Sequence, residues 1–204
     1  MGVDVLVVQH GEKERQPGDP GLTALGRAQA ERTAAWLAAK RVDELWSSPM
    51  RRARETAAPI AERLALDLST DVRFRERMNW EGQESQSLED FLADWERATR
   101  DRAYVPRSGD SSDDAGARFV AGLDDLARER RDGTVVVVAH GGVTVDALRT
   151  IVGDECIERE LPDLIANGVP CCAITGLRHD GLAWSVVHLP STDHLDDQID
   201  HRPA

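Results

Sequence analysis

The stretch Val5-Leu6-Val7-Val8-Gln9-His10-Gly11-Glu12 decides the fold: an apolar, β-branched run stops at a histidine that is followed by a glycine and a carboxylate. A branched run of this length favours a strand, and glycine lets the chain turn sharply where the strand ends. The stretch Thr134-Val135-Val136-Val137-Val138-Ala139-His140-Gly141-Gly142 repeats the design. Both histidines therefore stand at strand tips. In open α/β sheets the ligand crevice lies beyond the carboxyl ends of the strands, so neighbouring strands would present both imidazoles to one crevice. Such a pair points to phosphoryl chemistry.

Working outward, strand-like runs at 3–8, 43–47, 71–74, 134–139, 170–178 and 182–189 alternate with helical patterns. That alternation predicts an α/β fold: a single three-layer domain with a mostly parallel mixed sheet flanked by helices. Thr23 is the expected cap of a helix running to about Lys40, and Ser48-Pro49 the expected start of another running toward Leu66. Leu88, Phe91, Leu92 and Trp95 recur at helical spacing, which predicts a helix from Ser87 to about Arg102 with that face buried against the sheet. Ser108 to Asp114 reads as a loop and cap for a helix to about Arg131, and Asp180-Gly181 as a hairpin turn. Trp36, Trp46 and Trp184 are expected in the core. The domain is expected to span 1–190, and 191–204 to form a polar, acidic tail.

A chain of 204 residues is long enough for one complete core. Its net charge of −12 argues against sequence-independent binding to nucleic acid or to an anionic membrane surface. It contains no apolar run long enough to cross a bilayer, and Met1-Gly2-Val3-Asp4 lacks the basic flank of a secretory signal. Three cysteines, Cys156, Cys171 and Cys172, are an odd number and suit a reducing compartment, so a cytoplasmic location is expected, with the thiols as small packing residues. His194 and His201 lie among tail aspartates at spacings that match no closed metal site.

The two His-Gly tips resemble the histidine phosphatase superfamily, also called phosphoglycerate mutase-like, whose opening signature is Arg-His-Gly-Glu after a first strand. The likeness extends to Gly21-Leu22-Thr23-Ala24-Leu25-Gly26-Arg27-Ala28-Gln29-Ala30, to Ser47-Ser48-Pro49-Met50-Arg51-Arg52-Ala53-Arg54-Glu55-Thr56-Ala57, and to Phe74-Arg75-Glu76 and Trp80-Glu81-Gly82. The resemblance implies a phosphatase that needs no metal or cofactor and cleaves a small phosphomonoester through a phosphohistidine on His10. It also implies Gln9, Arg52, His140 and Gly141 as phosphate ligands, His140 as a catalytic residue as well, and Glu76 as general acid and base, with Glu12, Glu81 and Asp110 as competitors for the last role. A neutral imidazole suits the first task, because its ordinary pKa near ~6.5 leaves a lone pair for attack on phosphorus. Gly141 and Gly142 open a helix whose amides are further candidate phosphate donors.

One position departs from the pattern. Gln9 stands where the family has arginine, replacing a permanent charge and a fork of donors by one neutral amide. Lys13, Arg15 and Arg51 are the candidates to restore the missing charge. The departure keeps a second reading open, a phospholigand-binding or regulatory protein with weak or no turnover. A mutase is a further alternative, disfavoured by the short segment between Glu76 and Pro106.

Overall fold

The computed structural model describes residues 2–130 and 132–196. Four parallel strands lie in the order β3 (Leu68–Thr70), β2 (Glu44–Ser47), β4 (Gly133–Ala139), β1 (Val3–Gln9). Beyond β1, the antiparallel strands β5 (Ile174–His179) and β6 (Trp184–Ser191) complete a six-stranded mixed sheet. Because side chains alternate across a strand, the valine runs of β1 and β4 furnish both faces at once. Val5, Val7, Val135 and Val137 pack with Phe119 and Leu123 of α4 (Ser112–Arg128) and Leu148 of α5 (Gly141–Val152). Val8, Val136 and Val138 pack on the other face with Leu37 of α1 (Ala24–Leu37) and Ile60 of α2 (Arg51–Leu64). The result is the expected three-layer α/β domain with a mostly parallel mixed sheet.

Several local expectations need correction. Residues 71–74 are not a strand: Asp71 accepts from the Arg73 N–H and winds Val72–Phe74 into a 3-10 turn, burying Phe74 against Phe119 at 5.2 Å between ring centroids. The strand of that region is 68–70 instead. Ser48 and Pro49 precede the helix rather than open it, for Met50 is the residue at the cap and Asp19 from a distant loop accepts the Arg51 N–H. Thr23, Ser87 and Ser111 do cap α1, α3 (Leu88–Arg100) and α4. Cys171 and Cys172 fall before β5, not within a strand, and Cys172 adopts a left-handed backbone at φ 56. Trp36, Trp46 and Trp184 are half-buried against the core rather than inside it.

The expected tail begins later than 191. Ser191 closes β6, and the following 3-10 turn docks on α1, where His194 Nε2 lies 3.0 Å from Thr33 Oγ1 and the Leu195 carbonyl accepts from Arg32. His201 lies outside the described residues. Short helices α6 (Asp154–Glu160) and α7 (Leu164–Asn167) link α5 to β5. Among the described residues no helix is long and apolar enough to cross a membrane.

Candidate active site

β1 and β4 are neighbours, and the helices that leave their tips depart on opposite faces of the sheet: α1 packs beside Val8 and Val138, α5 beside Val7 and Val137. Such a divergence opens a crevice at the carboxyl ends of the two strands. His10 and His140 occupy it, with ring centroids 5.2 Å apart and planes at 65°. His10 lies on the wall of a cleft of about 390 Å³ and keeps 6% of its surface exposed.

The ring of His10 is fixed at both nitrogens. Nδ1 lies 2.7 Å from the Gly11 carbonyl, which can only accept, so the proton resides there and Nε2 keeps its lone pair. Arg52 Nε, from the first turn of α2, donates to that Nε2 at 3.3 Å. Burial, and secondarily the Arg52 charge, lower the His10 pKa to about 3, so the ring is neutral across the physiological range. His140 is fully buried behind it; Nε2 pairs with Ser48 Oγ at 2.8 Å, and burial followed by the Arg52 charge hold its pKa well below the usual value. Two side chains around His10 retain uncommitted buried nitrogens, Arg52 Nη1 and His140 Nδ1, for which no hydrogen-bond partner exists among the described residues. Asp19 is the nearest counter-charge to that Nη1, at 3.7 Å.

Glu76 shares the cleft wall with His10 and Arg52. Its carboxylate occupies the N-terminus of α5, accepting from Gly142 N at 3.1 Å and Val143 N at 2.7 Å, and from its neighbour Arg77 N at 2.8 Å. A helix N-terminus favours an anion through its unpaired N–H groups and its dipole, and here a side chain of the protein fills that place. The need for glycine at 142 follows, because a Cβ there would lie 2.7 Å from both Glu76 Oε1 and Trp95. Of the amides expected for phosphate, that of Gly142 thus serves Glu76.

Of the other expected phosphate ligands, Gln9 and Gly141 sit one layer behind the wall together with His140. Gln9 Oε1 has no partner among the described residues and lies 2.8 Å from where a Cβ on Gly141 would stand. Lys13 and Arg15 do line the cleft, whereas Arg51 turns away to pair with Glu55 at 2.6 Å. Burial and then the Arg52 charge lower the Lys13 pKa. The competitors for Glu76 are committed elsewhere: Glu12 to Thr23 Oγ1, Glu81 to Asn79, and Asp110 to Arg75 and Arg118.

Two features of the site escape sequence reading. Arg77 and Asp146 form a fully buried pair at 2.9 Å beneath the cleft, joined by Ser112 Oγ. Burial raises the Asp146 pKa to about 6, outweighing the opposing Arg77 charge. The other is α3, whose stripe of Leu88, Phe91, Leu92 and Trp95 faces the cleft instead of the sheet; Ala98 is its only buried residue. Helical periodicity locates an apolar face without saying what it faces, and the surplus of apolar length at 88–95 was the available signal.

The sequence profile of the histidine phosphatase superfamily (branch 1) matches residues 5–192. The chain belongs to that superfamily. This histidine phosphatase is 36% identical to the uncharacterised Mycobacterium tuberculosis protein Rv0525 over 98% of its own length and 96% of the relative's. It is 29% identical to the glucosyl-3-phosphoglycerate phosphatase of Mycolicibacterium vanbaalenii, over 73% of this chain and 74% of that one. The fold superimposes on the native structure of mycobacterial glucosyl-3-phosphoglycerate phosphatase Rv2419c with a TM-score of 0.74 and 24% identity, covering 94% of this chain and all of that one. The family and its named relatives are those of phosphatases. Among the described residues no group of three or more His, Cys, Asp or Glu is placed to hold a metal ion.

Proposed function

We propose that the protein hydrolyses phosphomonoesters in two phosphoryl transfers through His10. The observation that carries this reading is the ring of His10, buried, neutral and locked by Gly11 with its Nε2 lone pair on the cleft wall beside Arg52. In the first transfer Nε2 bonds to phosphorus as the bond to the ester oxygen breaks, and the departing alkoxide takes the proton that the monoanionic ester has passed to the Glu76 carboxylate. The Gly11 carbonyl stabilises the positive charge that the ring acquires. In the second, a water gives its proton to Glu76 as its oxygen bonds to phosphorus, and the bond from phosphorus to nitrogen breaks to release inorganic phosphate. Phosphoryl transfer depends on positioning and on neutralising the equatorial oxygens. Arg52, Lys13 and Arg15 supply that charge in this proposal, and His140 Nδ1 is its further donor. The relatives' named substrate is a sugar-acid phosphomonoester, and phosphomonoester is the class carried over to this chain.

The test is rapid quenching into alkali after mixing with a labelled aryl phosphate. An alkali-stable, acid-labile phosphoryl label should appear on the wild type and vanish in His10→Ala, with turnover falling about 10⁴-fold or more while the circular dichroism spectrum is retained. Glu76→Gln should lose far more rate with an alkyl leaving group than with p-nitrophenolate, which departs unprotonated. Absence of phosphate release from every ester would overturn the reading in favour of a phospholigand-binding protein, which the neutral Gln9 favours.

A further inference from the structure

The apolar part of the cleft wall takes no part in the chemistry above, and its make-up is unlike that of a sugar site. Met78, Trp80, Leu88, Phe91, Leu92 and Trp95 line it. Leu88 and Leu92 are 42% and 55% exposed, although they belong to the apolar stripe that a surface helix ordinarily buries. Trp95 is a fixed surface rather than a loose filler, because the Arg77 guanidinium lies 4.4 Å over its ring and is itself anchored to Asp146. Two polar groups on this side are already committed within the protein. Asn79 Nδ2 donates to the Gly18 carbonyl and to Glu81 Oε1, both at 2.7 Å, and the Trp80 indole N–H donates to the Gln86 carbonyl at 2.9 Å. A hydroxylated group placed against the stripe of α3 would give up its hydrogen bonds to water and find carbon. The volume of about 390 Å³ is that of a small-molecule site, far beyond what a phosphate fills.

Resting on the phosphomonoesterase reading, we propose that the preferred substrates carry an extended apolar leaving group, an alkyl chain or ring system. The phosphate lies against His10 and Arg52 with Lys13 and Arg15 beside it, and the apolar group lies along Leu88, Phe91, Leu92 and Trp95. Cleavage is the same as above, with an apolar alcohol as the product.

The n-alkyl monophosphates from methyl to octyl separate binding from chemistry, because their leaving groups differ little in basicity. With each ester below its micellar concentration, kcat/KM from phosphate release should rise up to about fourfold per methylene, so that octyl exceeds butyl by about 10²-fold. Glucose 6-phosphate and 3-phosphoglycerate should fall below the hexyl ester. In Leu92→Gln the rise with chain length should flatten. A series flat to within about threefold, or a preference for the sugar and glycerate esters, overturns the proposal. Should the wild type cleave no ester at all, the phosphatase reading falls, and calorimetry with alkylphosphonates still decides the apolar site. Octylphosphonate binding about 30-fold or more tighter than methylphosphonate upholds it, and equal affinities overturn it.

Discussion

The two walls of the cleft are built on opposite terms. On the sheet side, His10, Arg52 and His140 are almost wholly buried, and the His10 ring is held at both nitrogens. On the side of α3, apolar side chains stand half in solvent, and the Asn79 amide and the Trp80 indole have turned inward to backbone carbonyls. Burial on the first side strips water from the imidazoles and keeps them neutral, which fixes the protonation state before any ligand arrives. Exposure on the second side leaves apolar surface whose burial is still to be gained, and that gain depends on what enters. Reactivity and selectivity are thereby assigned to different packing environments within one cleft.

The buried Arg77–Asp146 pair joins the walls, since Arg77 supports Trp95 on one side and its N–H holds Glu76 on the other. Breaking it is the severest challenge to the comparison. Asp146→Ala should cost about 3–5 kcal/mol in urea unfolding by stranding a buried guanidinium. A loss below about 1 kcal/mol would mean the walls are held independently.

Arg52→Lys removes the fork that touches His10 and should lower kcat/KM by about 10²–10³-fold for methyl and octyl phosphate alike. A loss confined to one chain length would blur the division of labour. Gln9→Arg should raise kcat/KM by less than about tenfold, because Lys13 and Arg15 already bring charge to the cleft. A gain of about 10²-fold would mark the sheet side as a crippled site.

The smallest effect concerns acidity. The folded His10 pKa near 3 lies below the unfolded value of 6.5, so the unfolded chain binds more protons between these limits and stability falls as pH drops from 6.5 toward 3. Asp146, raised to about 6, tilts stability the other way between 3.8 and 6. His10→Gln should therefore show a shallower acid-side fall in melting temperature than the wild type; an unchanged slope would mean that burial of this ring is not what keeps it neutral.

The amino-acid sequence by itself determined the α/β class, the strand-tip histidines, the cap at Thr23, and the candidates His10, Arg52 and Glu76, because these rest on short-range periodicity, local capping chemistry and family motifs. Only the tertiary structure decided that Glu76 fills the α5 N-terminus, that Gln9 and His140 stand behind the wall, that Asp146 meets Arg77, and that the stripe of α3 faces a cleft. Each of those contacts joins residues far apart in the chain. Periodicity states that a face is apolar, whereas the partner of that face is set by how the helices dock across the sheet.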